Sequence, residues 1–477
     1  MATAIPTNRA AFTCAEIVAS TGARVSGTSP LDGCIGVTTD SRDNVEGKLF
    51  IALSGERFDG HQYVADVLRR GAFGALVERD VPAVSSGLLF TVGSTLSALG
   101  ALAHAHRVRW GGKVVTIGGS AGKTTTRSAV QTFLAALLPG KVHGTVGNLN
   151  NLVGVPMTIL SIEPSHEYAV IEVGTNHRGE VDALSRICGA NIALLTCIGL
   201  EHSEGLGDLD GIEAEESDLF RHLAEGAQVI GNVDDPRVSR QLVAYEGTRW
   251  SYGLGETATH RIVDRAVVDR QCSQIRILRN HAEIAKEVTL RTRLFGLPGA
   301  LASAAALAVT DALNVPIDLG LAANALDRQV GEVGRLRVVE RSDQALVIDD
   351  CYNANPISMR SSFGVARELA RTENRRLLFV LGDMRELGEQ SQREHSALAD
   401  ELEGVTEVVA VGSEMRAFVE RACELGHTVL HCDDAETAKS RVVKMVQPGD
   451  VVLVKGSRGV SLERVVTVLT GGEGRAP

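Results

Sequence analysis

Along most of the chain, short unbroken apolar runs alternate with longer stretches of helical spacing. KVVTIGGS (Lys113–Ser120), EYAVIEVG (Glu167–Gly174), NIALLTCIG (Asn191–Gly199) and AQVIGNVDD (Ala227–Asp235) are such runs. Apolar strands separated by helical stretches predict a mostly parallel sheet. From about Gly334 the rhythm starts again with ALVIDD (Ala345–Asp350), RLLFVLGD (Arg375–Asp383), EVVAVG (Glu407–Gly412), HTVLHCDD (His427–Asp434) and DVVLVKGS (Asp450–Ser457). The block before Arg109 differs. It has short β-rich pieces, KLFIAL (Lys48–Leu53) and AFGALVE (Ala72–Glu78), around a helical run from Tyr63 to Arg70. The pattern predicts an α/β fold in three units, residues 1–109, 110–333 and 334–477. Nearly every later strand ends in Asp, Gly, Lys or Ser, and ligands bind at the carboxyl ends of strands in open α/β sheets.

Composition narrows the class. The 477 residues are 44% hydrophobic and 22% charged, as in a globular protein with substantial cores. A formal net charge of -11 argues against a nucleic-acid surface as the main function, while leaving small anionic ligands open. The eight cysteines form no C-x-x-C pair and no zinc spacing, which reads as reduced thiols. The N-terminal stretch lacks a basic start followed by an apolar core, so no signal peptide is expected. The apolar windows Gly87–Ala103 and Leu297–Leu313 read as buried helices rather than membrane spans. The expected location is the cytoplasm.

Candidate chemistry begins at TIGGSAGKTTT (Thr116–Thr126). The common phosphate loop, G-x-x-x-x-G-K-[ST], would place its first glycine on Ile117, so this loop is a shorter one. A strand enters it and a predicted helix, Thr124 to Leu138, leaves it, so backbone N–H groups and the helix dipole face an anion. Lys123 would neutralise phosphate oxygens and the Thr124 hydroxyl would ligate Mg²⁺. Glu172 ends an apolar strand, where a carboxylate either holds Mg²⁺ or makes a salt bridge. His202 lies just beyond another strand end and gains weight only from that company. In DLDGIEAEESDLF, Asp210 reads as an N-cap, and Glu213 and Glu216 share one helix face. Asp349 and Asp350 in DDCYNANP are costly to bury together, which suits either a polar ligand or a turn. KGSRG (Lys455–Gly459) brings cations to another strand end.

TTDSR, GKLFIALSGERFDGHQY, GSAGKTTT, GNLNNLVGVP, IEVGTNHRGE, GRL, DDCYNANPISM, VLGDMRELGE and LVKGSRG occur in this order. In order and spacing they resemble the Mur ligase family along nearly the whole chain. The resemblance implies a three-domain architecture: an N-terminal UDP-substrate domain, a central P-loop ATPase and a C-terminal Rossmann-like domain binding the incoming amine. It implies ATP and Mg²⁺, and amide formation through an acyl phosphate. The implied reaction joins a UDP-linked muramoyl-tripeptide to D-alanyl-D-alanine in peptidoglycan precursor synthesis. The same chemistry on a different acid and amine is the alternative, and the expected form is a monomer without nucleic-acid or membrane partners.

Carried over by position, Gly119, Ser120, Ala121, Gly122, Lys123, Thr124 and Thr125 would hold the phosphates. Asn151 would stand beside the γ-phosphate. Thr124, Glu172 and His202 would serve the metal. Arg335 and Asp350 would reach the nucleotide from the third unit. Asp40, Ser41, Arg42, Asp59, Gly60 and His61 would meet the UDP substrate, and Asn353, Asn355, Lys455 and Ser457 the incoming amine. Three positions depart from the family. Where it usually carries a CO₂-modified lysine that ligates magnesium, this chain has Glu216, expected to supply the charge, alone or with Glu213, through a water or a shifted helix; the alternative is that this metal site is lost. Leu301, Ala302 and Ala305 stand where asparagines usually reach adenine. Gly118 replaces the usual threonine before the loop.

Overall fold

Five strands build the first sheet: β1 (Arg24–Thr28), β2 (Val37–Thr38), β3 (Leu49–Ile51), β4 (Gly74–Val77) and β5 (Gly87–Thr91). Their order is β1-β5-β4-β3-β2, with β1 antiparallel at one edge and the other pairs parallel. Helix α1 (Thr95–Trp110) follows, started by the Ser94 side chain and stopped by Gly111 in the left-handed conformation. The window Gly87–Ala103 is therefore a strand and then a helix, not the single buried helix its hydropathy suggested. Burial alternates along β5, and Gly93-Ser94 breaks the run before α1 begins. This computed structural model describes residues 3–55, 58–81, 87–270, 272–281, 284–329 and 331–472.

The second sheet has nine strands: β6 (Lys113–Gly118), β7 (Val142–Gly144), β8 (Tyr168–Glu172), β9 (Ile192–Leu195), β10 (Gln228–Asn232), β11 (Thr248–Gly253), β12 (His260–Asp269), β13 (Cys272–His281) and β14 (Ile284–Thr292). Their order is β7-β8-β6-β9-β10-β11-β12-β13-β14, parallel up to β12 and antiparallel beyond it. From β6 the chain goes to one side and then crosses to the other, so the loop after β6 sits at a topological switch point. The register pairs Ile117 with Glu172 and Gly118 with Leu195, which sets the loop between the ends of β8 and β9. Helix α2 (Lys123–Leu137) leaves the loop, and α3 (Leu209–Ser217) lies between β9 and β10 in sequence. Helix α4 (Gly296–Ala312) packs on α2 and on β11 and β12, its alanines allowing close approach in a shared apolar core. The window Leu297–Leu313 is thus a buried helix. Among the described residues no helix is long and apolar enough to cross a membrane.

The third sheet has β15 (Arg337–Glu340), β16 (Leu346–Asp350), β17 (Leu377–Gly382), β18 (Glu407–Val411), β19 (Val429–Cys432) and β20 (Val451–Lys455). The order is β15-β16-β20-β17-β18-β19, with only β15 antiparallel to its neighbour. β16, β17 and β20 are buried throughout, as their unbroken apolar runs require. Helix α5 (Pro356–Thr372) follows β16, with Asn355 as its N-cap and Pro356 in its first turn. All eight cysteines are free thiols.

Candidate active site

Backbone geometry fixes the phosphate loop. Gly119 has φ +115°, and a Cβ there would come within 2.3 Å of Thr196 Oγ1 and 2.8 Å of Cys197 O. Only glycine fits at that approach. Ser120 N–H donates to Cys197 O (2.8 Å), Gly199 N–H donates to Ser120 Oγ (2.9 Å), and Thr196 Oγ1 donates to Ala121 O (2.7 Å). These bonds strap the loop to the end of β9. Gly122, at φ +82°, starts α2 without a side-chain cap, so the first N–H groups of the helix are left for an anion.

Lys123 Nζ donates to Gly119 O and to Glu201 Oε1 (3.2 Å for the latter). Burial alone would push its pKa down, but Glu201, Glu216 and Glu172 more than offset that and raise it. Burial pushes Glu201 up to about 7 against the pull of Lys123. Glu172 is 1% exposed, and its Oε1 accepts from Thr124 Oγ1 (3.1 Å) and Asn150 Nδ2 (2.9 Å). Its Oε2 lies 3.6 Å from Arg127 Nε and has no hydrogen-bond partner. Asn151, by contrast, uses its Oδ1 to accept from Val153 and Gly154 N–H at a helix start. His202 has φ +48°, and its Nδ1 pairs with Glu386 from the loop after β17. Burial, reinforced by the charge of Lys123, lowers its pKa.

Asp208, not Asp210, caps α3, through Gly211 N–H. Asp210 sits two residues further on, inside the first turn, and pairs with Arg237 instead. Glu213 is bound by Arg237, Arg240 and Gln241, so the two glutamates on one face serve different neighbours. Glu216 is buried, and its Oε2 accepts from Gly119 N–H at 2.8 Å while Oε1 has no hydrogen-bond partner. A Cβ on Gly118 would come 3.3 Å from that Oε2 and 3.0 Å from Leu219 Cδ2. Two of the three departures from the family pattern therefore touch each other. Burial raises the pKa of Glu216.

The loop opens onto a cavity of ≈ 570 Å³ whose far wall comes from the third unit, including Arg335, Asp350, Tyr352, Asn353, Asn355 and Lys455. Asn355 Nδ2 donates to Ser120 O (3.1 Å), joining the N-terminus of α5 to the phosphate loop. Lys455 Nζ donates to Asp350 Oδ2 (2.6 Å) and Asn353 O (3.1 Å). Asp350 also accepts from Ser362 Oγ (2.6 Å) and Leu336 N–H (3.1 Å). Ser457 Oγ accepts from Arg385 N–H (2.9 Å), and this residue does not line the cavity. Glu216 lies behind the loop and does not line it either, whereas Leu297, Pro298 and Leu301 form an apolar stretch of wall.

The predicted UDP-substrate residues cluster elsewhere, beyond the ends of the neighbouring strands β2 and β3, and do not line this cavity. Asp40 pairs with Arg42 (2.6 Å), and Ser41 O accepts from Arg70. Asp59 accepts from His61 N–H (3.0 Å) and His61 Nδ1 (2.8 Å), while His61 Nε2 accepts from Glu78 N–H (2.9 Å). A Cβ on Gly60 would come 2.8 Å from Leu53 O. Glu56 and Arg57 of the matching stretch lie outside the described residues.

No group of three or more His, Cys, Asp or Glu is placed as a ready cation cage among the described residues. Magnesium rarely needs one, since it binds through one or two carboxylates plus phosphates and water. Thr124 and Oε2 of Glu172, which takes no hydrogen bond, fit that mode.

A strapped phosphate loop facing a second α/β unit across a shared cavity marks a nucleotide-dependent enzyme. Comparison with known proteins narrows it. Residues 117–310 match the Mur ligase middle domain, and 334–458 match the Mur ligase, glutamate ligase domain. The chain is 32% identical to a UDP-N-acetylmuramoyl-tripeptide–D-alanyl-D-alanine ligase of Escherichia coli, over 91% of this chain and 93% of that one. It is 31% identical to the enzyme of that name from Bacillus subtilis, over 90% and 92%. A crystal structure of MurF from Acinetobacter baumannii superposes with TM-score 0.86 at 30% identity, covering 97% of this chain and 99% of that one. The MurF ligase of Thermotoga maritima, solved in complex with ADP, superposes with TM-score 0.81 at 26% identity, covering 91% and 97%. The chain belongs to the Mur ligase family.

Proposed function

We propose that this chain joins the terminal carboxylate of a UDP-linked muramoyl-tripeptide to D-alanyl-D-alanine at the expense of ATP. The observation that carries the reading is the pairing of an uncapped phosphate loop with a facing unit across one cavity, in a chain alike over nine-tenths of its length to ligases of that name. That likeness favours these substrates over a different acid and amine. Residues 1–109 would hold the UDP substrate through Asp40, Ser41, Arg42, Asp59, Gly60 and His61, and 110–333 would hold ATP. Residues 334–477 would present the amine, with Asn353, Asn355, Lys455 and Ser457 on or beside its path. Such nucleotide-linked substrates suit a cytoplasmic enzyme, and a monomer is the proposed form.

In the first step the substrate carboxylate attacks the γ-phosphorus, forming an acyl phosphate and releasing ADP. In the second the amine attacks the acyl carbon, the carbon–oxygen bond to phosphate breaks, and the amine loses a proton. Lys123 and the N–H groups of Gly119–Thr125 would orient the phosphates, with Asn151 on the neighbouring helix start. Thr124 and Glu172, with His202 nearby, would hold magnesium, which would supply positive charge at the phosphate oxygens. Glu172, Glu201 and Glu216 already surround Lys123, so a triphosphate entering there needs added cations. Asn355 on Ser120 would hold the third unit against the loop, excluding water from the acyl phosphate.

Glu216 would add a fixed negative charge beneath the loop, acting on the metal from behind Gly119. Glu216→Gln keeps an acceptor for Gly119 N–H and removes only the charge. It is expected to raise the Mg²⁺ needed for half-maximal phosphate release by about tenfold, the usual size for loss of an outer partner. Unchanged turnover and unchanged metal dependence would contradict this role.

A further inference from the structure

Three cations line the cavity wall at its phosphate end and across from it, and two of them are neutralised. Lys123 meets Glu201, and Lys455 meets Asp350. Arg335 makes no side-chain hydrogen bond or ion pair with any described residue. Its guanidinium instead lies over the Tyr352 ring, with Cζ 4.2 Å from the centroid. An aromatic face attracts a guanidinium without consuming its N–H donors or cancelling its charge.

The backbone beneath Arg335 is pinned on both sides. Arg335 N–H donates to Glu332 O (2.9 Å), Gly334 N–H to Asp349 Oδ2 (3.0 Å), and Leu336 N–H to Asp350 Oδ1 (3.1 Å). Tyr352 N–H donates to Gly334 O (3.1 Å), which ties the ring's own backbone to the same turn. Gly334 has φ +77°, and a Cβ there would come 3.0 Å from Tyr352 Cβ. Leu336 holds φ +49°, a left-handed conformation costly for a branched side chain. The buried acids Asp349 and Asp350 therefore spend hydrogen bonds on shaping this turn. Arg335 also borders a small adjoining space lined by Thr124 and Thr125, the first turn of α2.

We propose that Tyr352 is the positioning residue for Arg335, holding its free guanidinium against the ring so that it and the uncapped start of α2 grip one polyphosphate from opposite sides. The proposal rests on the nucleotide-dependent reading of the cavity and deepens it. Arg458, with Cζ 5.4 Å from the same ring centroid, is a second cation over this ring.

The test is binding of the β,γ-methylene analogue of ATP, with Mg²⁺, to the full chain by calorimetry, in a double-mutant cycle. Tyr352→Leu is expected to weaken binding about tenfold, and Tyr352→Phe, which keeps the ring face, less than about twofold. In an Arg335→Ala background Tyr352→Leu is expected to cost nothing further. Equal losses in both backgrounds would overturn the proposal, as would Tyr352→Phe proving as damaging as Tyr352→Leu. Tyr352 is half-buried, so thermal midpoints of the variants should stay close to wild type. The readout needs neither the peptide nor the dipeptide. Tight analogue binding without any ligation would therefore sink the ligase reading and leave this one standing.

Discussion

Lys123→Met is expected to lower ligation by on the order of 10³-fold, the largest effect at any single position of this chain. The lysine carries the only positive charge rising from the phosphate loop itself, and three carboxylates hold it protonated. Methionine keeps most of the length and removes the charge where it must build up on transferring oxygens. A second consequence follows from the same geometry. Without Lys123, the buried Glu201 loses the partner 3.2 Å away, at a cost of about 3 kcal/mol in stability. The sign with pH is set by Glu201, whose folded pKa of about 7 lies above its ordinary value. Its contribution is fully present below the ordinary carboxylate range and lost as pH rises through the folded value. The variant's deficit in thermal midpoint should therefore be smaller at about pH 5 than at about pH 8. Phosphate release and scanning calorimetry at the two pH values measure both effects.

Glu172→Gln is expected to reduce kcat by about 10²-fold or more and to shift the magnesium requirement upward. One oxygen of this buried carboxylate takes hydrogen bonds from Thr124 and Asn150, while the other has none. Glutamine can keep the first set of contacts, so the loop should hold its shape. What it removes is the charge at the unpartnered oxygen, beside Arg127. The nearby pair Arg127 and Glu332 would then be neutral where the three side chains together carried one net negative charge, and ADP binding without metal should tighten rather than weaken. Kinetic titration with Mg²⁺ and metal-free ADP calorimetry check the two halves. A kcat within a few-fold of wild type would remove Glu172 from the metal's environment.

The parallel strands were legible because they are buried on both faces and so read as unbroken apolar runs. The loop was legible because glycines, lysine and threonines must follow one another to wrap a phosphate. The window Gly87–Ala103 misled because hydropathy averages over a strand, a three-residue link and a helix. The cap at Asp208 was missed in favour of Asp210, one of several acidic residues that composition alone does not separate. Asn150, Glu201, Tyr352 and Glu386 were not visible as site residues. Each matters through a neighbour far away in sequence: Glu172, Lys123, Arg335 and His202. The contact between Gly118 and Glu216 is of the same kind. As separate departures they read as two losses; in space, the missing side chain leaves room for the carboxylate that replaces the lysine.

This cavity is expected to couple ATP cleavage to joining one particular acid and one particular amine. The direct measurement is phosphate release by the purified chain with ATP and Mg²⁺, in the presence of UDP-N-acetylmuramoyl-tripeptide, of D-alanyl-D-alanine, of both, and of neither. Sustained release is expected only with both, in one-to-one proportion with the amide product. Equal release in all four mixtures, or none in the complete one while ATP still binds, would contradict it.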